Sequence, residues 1–337
     1  MKRKTILYIG NDLVSKSKYN STMETLTSLL EKENYIVIKS SSKVNKISRV
    51  FDMIFTVVKQ RNKIDYLLID TFSTLNFYYA FIISQLSRFF DLKYIPILHG
   101  GNLPKRLKAS KRISKLIFNH SVINIAPSGY LKYEFEKEGY KTELIPNVIL
   151  IDNYNYIERI NIQPKLLFVR SFASIYNPIM AVKVLYELKK KYKNAILCMV
   201  GPDKDGSLLL LKELVKELNL IDSIEFTGVL AKEKWHKKSE EYDIFINTTN
   251  IDNTPVSVIE AMALGLPVVS TNVGGIPYLI ENSVDGVLVE KANIMEMVTA
   301  IERILNNEYQ SLAKNARKKV EQFEWNVVRN MWTEILK

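Results

Sequence analysis

Cysteine is almost absent: Cys198 stands alone in 337 residues, beside three histidines. No internal disulfide can form and no cysteine-based metal site can be built, so a reducing compartment fits. His, Cys and Asp nowhere cluster at ligand spacing, and no metal or other cofactor is expected. Long Pro, Ser or Gly tracts and repeats of solenoid period are also lacking, which excludes extended disorder and repeat architectures. The longest membrane-like run, NFYYAFIISQLSRFF (76–90), is broken by Ser84, Gln85, Ser87 and Arg88. It falls short of the roughly 20 apolar residues that a span requires and reads as a buried helix. The start, MKRKTILYIGND, has too short an apolar run for a secretory signal and no small-residue cleavage site. It reads as a first β-strand of a cytoplasmic chain.

Acidic residues are scarce in the first half. Residues 1–150 hold 24 Lys and Arg against 12 Asp and Glu, a net +12, while 151–337 hold 23 against 24. The whole excess of +11 therefore lies in the first half. Nucleic acid, an anionic membrane or an anionic substrate would each account for such a face. No RNP-like or helix-turn-helix pattern accompanies it, so nucleic acid is not the expected partner.

What is present is alternation. ILYIG (6–10), YIVIK (35–39), YLLID (66–70), YIPIL (94–98) and VINIA (122–126) are separated by helix-length segments. LLFV (166–169), AILCMVG (195–201), IEFTG (224–228), IFINT (244–248), PVVST (267–271) and GVLVE (286–290) repeat the pattern. Such order implies parallel sheets with right-handed crossovers, hence an α/β fold of two Rossmann-like domains facing a cleft. The non-helical, proline-containing stretch 145–165 marks the connection, giving domains at 1–152 and 153–324. The amphipathic segment 325–337, with Trp325 and Trp332, is expected to pack back on the first domain. Ligands of these sheets bind at the carboxyl ends of strands, so residues just after strands are the functional candidates.

One stretch concentrates them: DNTPVSVIEAMALGLPVVSTNVGGIP (252–277). The pattern predicts a helix with Thr254 as N-cap and Pro255 at its first position, stopping at Gly265. Free first-turn amides and the positive end of the helix dipole make an anion site. Glu260 lies about 8 Å along the axis, where a carboxylate suits a sugar diol, and Asp252 precedes the helix. Two acids bracketing an anion site fit a nucleotide-sugar. The same spacing also fits a loop acid and a solvated helix acid.

An acid, seven residues and Glu260, followed by AMALGLPVVSTNVGGIPYLI, resembles the Glu-seven-Glu signature of family-4 retaining glycosyltransferases of GT-B fold. LLFVRS, MVGPD and IEFTGVL precede it in the right order, and the resemblance covers about residues 160–337. It implies transfer of a sugar from a nucleoside diphosphate to an acceptor hydroxyl with retention, in surface or lipid-linked glycan assembly. Glu260 would hold the ribose and Asp252, shorter than the family's usual Glu, would contact the donor sugar. Arg170 would hold the diphosphate together with the amides of Thr254, Val256 and Ser257; Pro255 stands where the family often has Gly. The family's lysine about five residues after the arginine is missing from RSFASIYNP, which leaves Asn177 as a candidate to help. His99, in the HGGN loop, matches a histidine near the sugar's reacting carbon, and Gly10 and Asn11 fall at the family's first glycine-rich loop. His120 and His236 read as surface residues. Asp203-Lys-Asp205 looks like the metal-binding DxD of another glycosyltransferase class but reads as a turn before Gly206. A nucleotide-sugar epimerase of the same fold and a non-catalytic nucleotide-sugar-binding subunit are the alternative functions.

The last expectation concerns KRLKASKRISKLIF (105–118), with six basic residues and no acid. Read as one helix with Leu107, Ile113, Leu116 and Ile117 on its apolar side, it would lie on an anionic membrane surface, on the inner face, and present a lipid-linked acceptor. A solvated helix packed on its own sheet is the other reading.

Overall fold

A computed structural model describes residues 3–12 and 22–337. Contacts divide the chain into two units, one running through Val148 and completed by Trp325–Lys337, the other Ile149–Glu324. The first contains β1 (Thr5–Ile9), α1 (Thr22–Lys32), β2 (Ile36–Ser40), α2 (Lys46–Gln60), β3 (Tyr66–Phe72) and α3 (Asn76–Phe89). It continues with β4 (Tyr94–His99), α4 (Leu103–Ala109), α5 (Lys111–Phe118), β5 (Asn124–Ala126), α6 (Gly129–Lys137) and β6 (Thr142–Leu144). The second unit contains β7 (Lys165–Val169), α7 (Pro178–Lys191), β8 (Ile196–Val200), α8 (Ser207–Glu217), β9 (Ile224–Gly228), α9 (Lys232–Lys238) and β10 (Ile244–Asn247). It ends with α10 (Val256–Ala263), β11 (Val268–Thr271), α11 (Ile276–Leu279), β12 (Val287–Val289), α12 (Ile294–Leu305) and α13 (Leu312–Glu321). The chain then enters α14 (Trp325–Ile335), which belongs to the first unit.

Each unit holds a six-stranded parallel sheet, ordered β2-β1-β3-β4-β5-β6 and β12-β11-β10-β7-β8-β9. Apolar runs such as Ile6–Ile9 and Leu67–Ile69 are buried on both faces because helices cover both. In each sheet the strand order reverses once, between β1 and β3 and between β10 and β7. At such a switch point the loops after the two central strands diverge and leave a crevice. α14 is tied to the first unit by Trp325 Nε1 donating to Glu33 (3.1 Å) and by Lys4 Nζ donating to the Leu336 carbonyl (2.9 Å). Trp325, Val328, Trp332 and Leu336 are buried.

Two expectations need correction. β6 was not among the expected strands: Thr142, Glu143 and Leu144 are too few and too polar to signal one, and they form a sheet edge, where polar residues are tolerated. Segment 105–118 is not one helix. Ser110 (φ −129°, ψ 46°) separates α4 from α5, and Leu107 and Ile117 are buried in the unit's own core with Ile113 packed against them. Leu107, Ile113 and Ile117 therefore face the unit's own core, while Leu116 is exposed. The connection after Val148 is fastened to the second unit, Arg159 donating to the carbonyls of Ser239, Tyr242, Leu264 and Gly265.

Candidate functional site

The second unit's switch point brings two distant segments together. Arg170 directly follows β7, and the loop that follows β10 delivers Asp252; the two side chains form an ion pair. The guanidinium also lies over the Tyr176 ring, 4.4 Å from its centroid. Burial lowers the Arg170 pKa, but a guanidinium stays charged at any physiological pH. Its Nε is buried with no hydrogen-bond partner.

Glycines explain how backbone can converge there. Arg170 N donates to Val200 O and Phe172 N to Pro202 O, zipping the loops after β7 and β8 together. A Cβ on Gly201 would stand 2.0 Å from the Arg170 carbonyl oxygen. On the other side, Gly275 N donates to Asp252 O at 3.0 Å, and a Cβ on Gly274 (φ +56°) would stand 2.1 Å from that same oxygen. The Gly-Gly turn after β11 is thus the seat on which the Asp252 loop rests. Loop 174–177 is pinned to the loop after β10 by Thr248 Oγ1 donating to Tyr176 O and Asn177 O, both at 2.9 Å. Asn177 itself is left-handed (φ 46°, ψ 53°) and opens α7.

α10 starts one residue later than expected. Pro255, extended at ψ 119°, occupies the N-cap position, so Thr254 is not the cap and Val256 is the first helical residue. The Val258 amide donates back to Pro255 O, and a helix's earliest amides have no intrahelical partner. Beside them Thr254 Oγ1 and Ser257 Oγ are buried without partners. Val256 is exposed. Buried orphan hydroxyls are costly unless a ligand completes them.

Glu260 sits a turn further along, buried, and is not a solvated helix acid. Its Oε1 accepts from Tyr154 OH (3.0 Å) and pairs with Lys232 Nζ (2.5 Å), while His236 Nε2 lies 4.0 Å from Oε2. Burial alone would raise the carboxyl's pKa; His236 and Lys232 outweigh it and hold the group below its ordinary value. His236, expected at the surface, is tucked between the Tyr154 and Trp235 rings, 4.9 and 4.5 Å away, with its Nε2 unpartnered. Sequence reasoning missed Lys232, His236 and Tyr154 in this role. Only their approach in space marks them, and Tyr154 is 106 residues from its partner. His120 is exposed.

The first unit's switch point holds a second cluster. His99, at the end of β4, places Nε2 2.8 Å from Asp70 Oδ1, which also accepts from Tyr8 OH at 2.9 Å. Tyr79 OH donates to the Asp70 carbonyl (2.7 Å), and Phe72 stacks on the imidazole at 4.9 Å. Burial, then Asp70, push the Tyr8 hydroxyl well above its ordinary pKa, so it remains a donor. A Cβ on Gly10 would lie 2.5 Å from Asp70 Oδ2: glycine is there to admit the carboxylate. The Gly10 amide is spent on Ser40 O and the Asn11 side chain accepts from Arg49 at 2.6 Å. Gly100 adopts φ +88°, which favours glycine after the histidine.

The acids of Asp203-Lys-Asp205 are occupied as turn acceptors. Asp203 takes the Gly206 amide, and Asp205 takes Ser174 and Ser207, whose hydrogen bonds lower it to about 2. Among the described residues no group of three His, Cys, Asp or Glu could hold a metal ion.

Comparisons with known proteins bear on this geometry. The family described as glycosyl transferases group 1 matches residues 152–320. An uncharacterized glycosyltransferase of Haemophilus influenzae is 32% identical over 158 residues, 46% of this chain and 44% of that one. The amylovoran biosynthesis glycosyltransferase AmsK of Erwinia amylovora is 23% identical over 268 residues, 72% of this chain and 63% of that one. The matched region thus spans about half of these relatives' length. Among solved structures, a sucrose-phosphate synthase of Thermosynechococcus elongatus superposes with a TM-score of 0.82 at 17% identity, covering 99% and 98% of the two chains. HepE of Anabaena in complex with UDP-glucose gives 0.75 at 17% identity, covering 98% and 99%. At such identities the likeness concerns the fold, which is of GT-B type.

Proposed function

Because this chain belongs to the glycosyl transferases group 1 family, we propose that it is a retaining glycosyltransferase that moves a sugar from a nucleoside diphosphate to an acceptor hydroxyl during glycan assembly. The observation that carries the reading is the set of buried polar atoms without partners at the start of α10, Thr254 Oγ1, Ser257 Oγ and Arg170 Nε, beside the Arg170–Asp252 pair. Each is a donor that a bound anion would satisfy. Relatives named for amylovoran and colanic acid biosynthesis support a glycan product, and the UDP-glucose complex of HepE supports a nucleotide-sugar donor.

In this reading Glu260, kept ionised by Lys232 and His236, accepts the ribose hydroxyls. The diphosphate lies at the first turn of α10, and Arg170 offsets the charge that grows on the leaving oxygen. With the family's lysine absent, the guanidinium held over Tyr176 is the cation of the site. Asp252 orients that guanidinium and contacts the donor sugar. As the anomeric C–O bond breaks, the departing diphosphate oxygen takes the acceptor's proton and the acceptor oxygen attacks the same face, which preserves configuration. His99, oriented by Asp70, is the first unit's candidate for the histidine near the sugar's reacting carbon. That unit also receives the acceptor, a lipid-linked glycan precursor presented at an anionic membrane.

Thermal-shift screening against UDP-, GDP- and ADP-sugars tests the donor. A ligand at a hundred times its dissociation constant adds about 2.7 kcal/mol. Product analysis by NMR with a labelled donor then reads transfer and anomeric configuration. An inverted product would refute retention, and donor binding without turnover would make the chain a binding subunit.

A further inference from the structure

The outer surface of the first unit departs from what a solvated helical layer should look like. α2 and α3 lie side by side on one face of the sheet, their inner residues Met53, Val57, Ala80 and Ile83 packed with Leu7 and Leu67. Their outer faces are apolar as well. On α2, Ile47, Phe51 and Phe55 recur every fourth residue and are 70%, 67% and 65% exposed. On α3, Tyr78, Ile82 and Phe89 continue the surface, with Phe89 81% exposed. Single exposed apolar residues are ordinary; two adjacent helices with matching apolar stripes mark an interaction site.

Charge identifies the partner. α5 packs on the far side of α3 and adjoins α4, so the layer runs from apolar α2–α3 to basic α4–α5. These four helices carry ten Lys and Arg residues against a single acid, Asp52. Lys105, Lys108, Lys111, Arg112 and Lys115 are exposed. A second copy of this chain on the same face would bring like charges together. An anionic lipid surface accepts both parts, with headgroups for the ammonium and guanidinium groups and the acyl boundary for the phenyl rings.

We propose that the α2–α3 face is a membrane-docking surface, with Phe51 and Phe55 inserted among lipids and α4–α5 lying on anionic headgroups. The proposal relocates the apolar contact from segment 105–118, whose Leu107 and Ile117 are buried, to α2. It serves the lipid-borne acceptor of the reading above, yet its test requires neither donor nor acceptor.

The whole chain is sedimented with phosphatidylcholine vesicles with and without about a third phosphatidylglycerol, over ionic strengths from about 0.05 to 0.3 M. Binding is expected to the anionic vesicles only and to weaken with salt. Phe51→Ser with Phe55→Ser should lower partitioning about tenfold or more while UDP binding is unchanged, and Lys111→Glu with Lys115→Glu should remove the salt dependence. Phe51→Trp should give blue-shifted emission quenched by brominated acyl chains. Equal binding to neutral vesicles, an unquenched Trp, or a concentration-dependent dimer dissolved by the Phe51→Ser, Phe55→Ser pair would overturn the proposal. Vesicle binding without sugar transfer would instead count against the catalytic reading alone.

Discussion

Glu260 is buried yet ionised, and that combination has consequences for binding and for stability. Glu260→Gln removes the charged acceptor offered to a ribose and should weaken donor binding by roughly 1.5–3 kcal/mol, read by calorimetry. Its folded pKa lies below the unfolded value of about 4.3. The group therefore stabilises the fold fully above that pH, and the contribution is lost as pH falls through the lowered folded value. Thermal melts of Glu260→Gln should accordingly show a shallower loss of stability on acidification than the parent protein. Asp70 acts through His99. Asp70→Asn should lower kcat and displace the pH-rate profile while leaving UDP affinity unchanged, because the nucleotide is assigned to the other unit; a lowered UDP affinity would contradict that division. Cys198 is buried beneath Tyr242, and burial pushes its thiol up to about 11. Ellman's reagent should leave it unmodified until the protein is denatured.

At the scale of elements, the site depends on turns that no larger residue could make. Gly274→Ala places a methyl against the Asp252 carbonyl at a positive φ, at a cost of roughly 1–3 kcal/mol. It should lower Tm and, by displacing the Asp252 loop, abolish donor binding; a variant with normal Kd would show that the loop is not held by this turn. The elements themselves were largely legible in the sequence, since β-branched runs such as ILYI and PVVST at regular spacing leave few alternatives to a parallel sheet. β6 escaped because an edge strand of three residues carries no apolar signature. The α10 start was displaced by one residue because proline's fixed φ fits N-cap and first-turn positions alike, and only ψ separates them. Arg170, Asp252, Thr254, Ser257 and Glu260 are named through the resemblance to the glycosyltransferase signature, since spacing alone leaves Asp252 and Glu260 also readable as a loop acid and a solvated helix acid. Lys232, His236 and Tyr154 could not be named, because nothing in a helix reading KEKWHKK tells which side meets a carboxylate.

For the whole molecule, the division into units does not follow the order of the chain. The first unit is closed by α14, whose Trp325, Val328 and Trp332 are buried and whose Trp325 Nε1 donates to Glu33, 292 positions earlier. A chain ending at Glu324 should unfold in two calorimetric steps, with the first unit's transition lowered and the second's unchanged; a single unshifted transition would show that α14 is dispensable. The second unit runs uninterrupted from Ile149 to Glu324. During synthesis the ribosome therefore delivers most of the first unit early but withholds its last helix. The second unit, though begun later, has all its residues first. Until Trp332 emerges, the core that α14 will cover stays open to chaperones and proteases, so slow translation of the α14 codons should cost this protein yield before it costs activity per folded molecule.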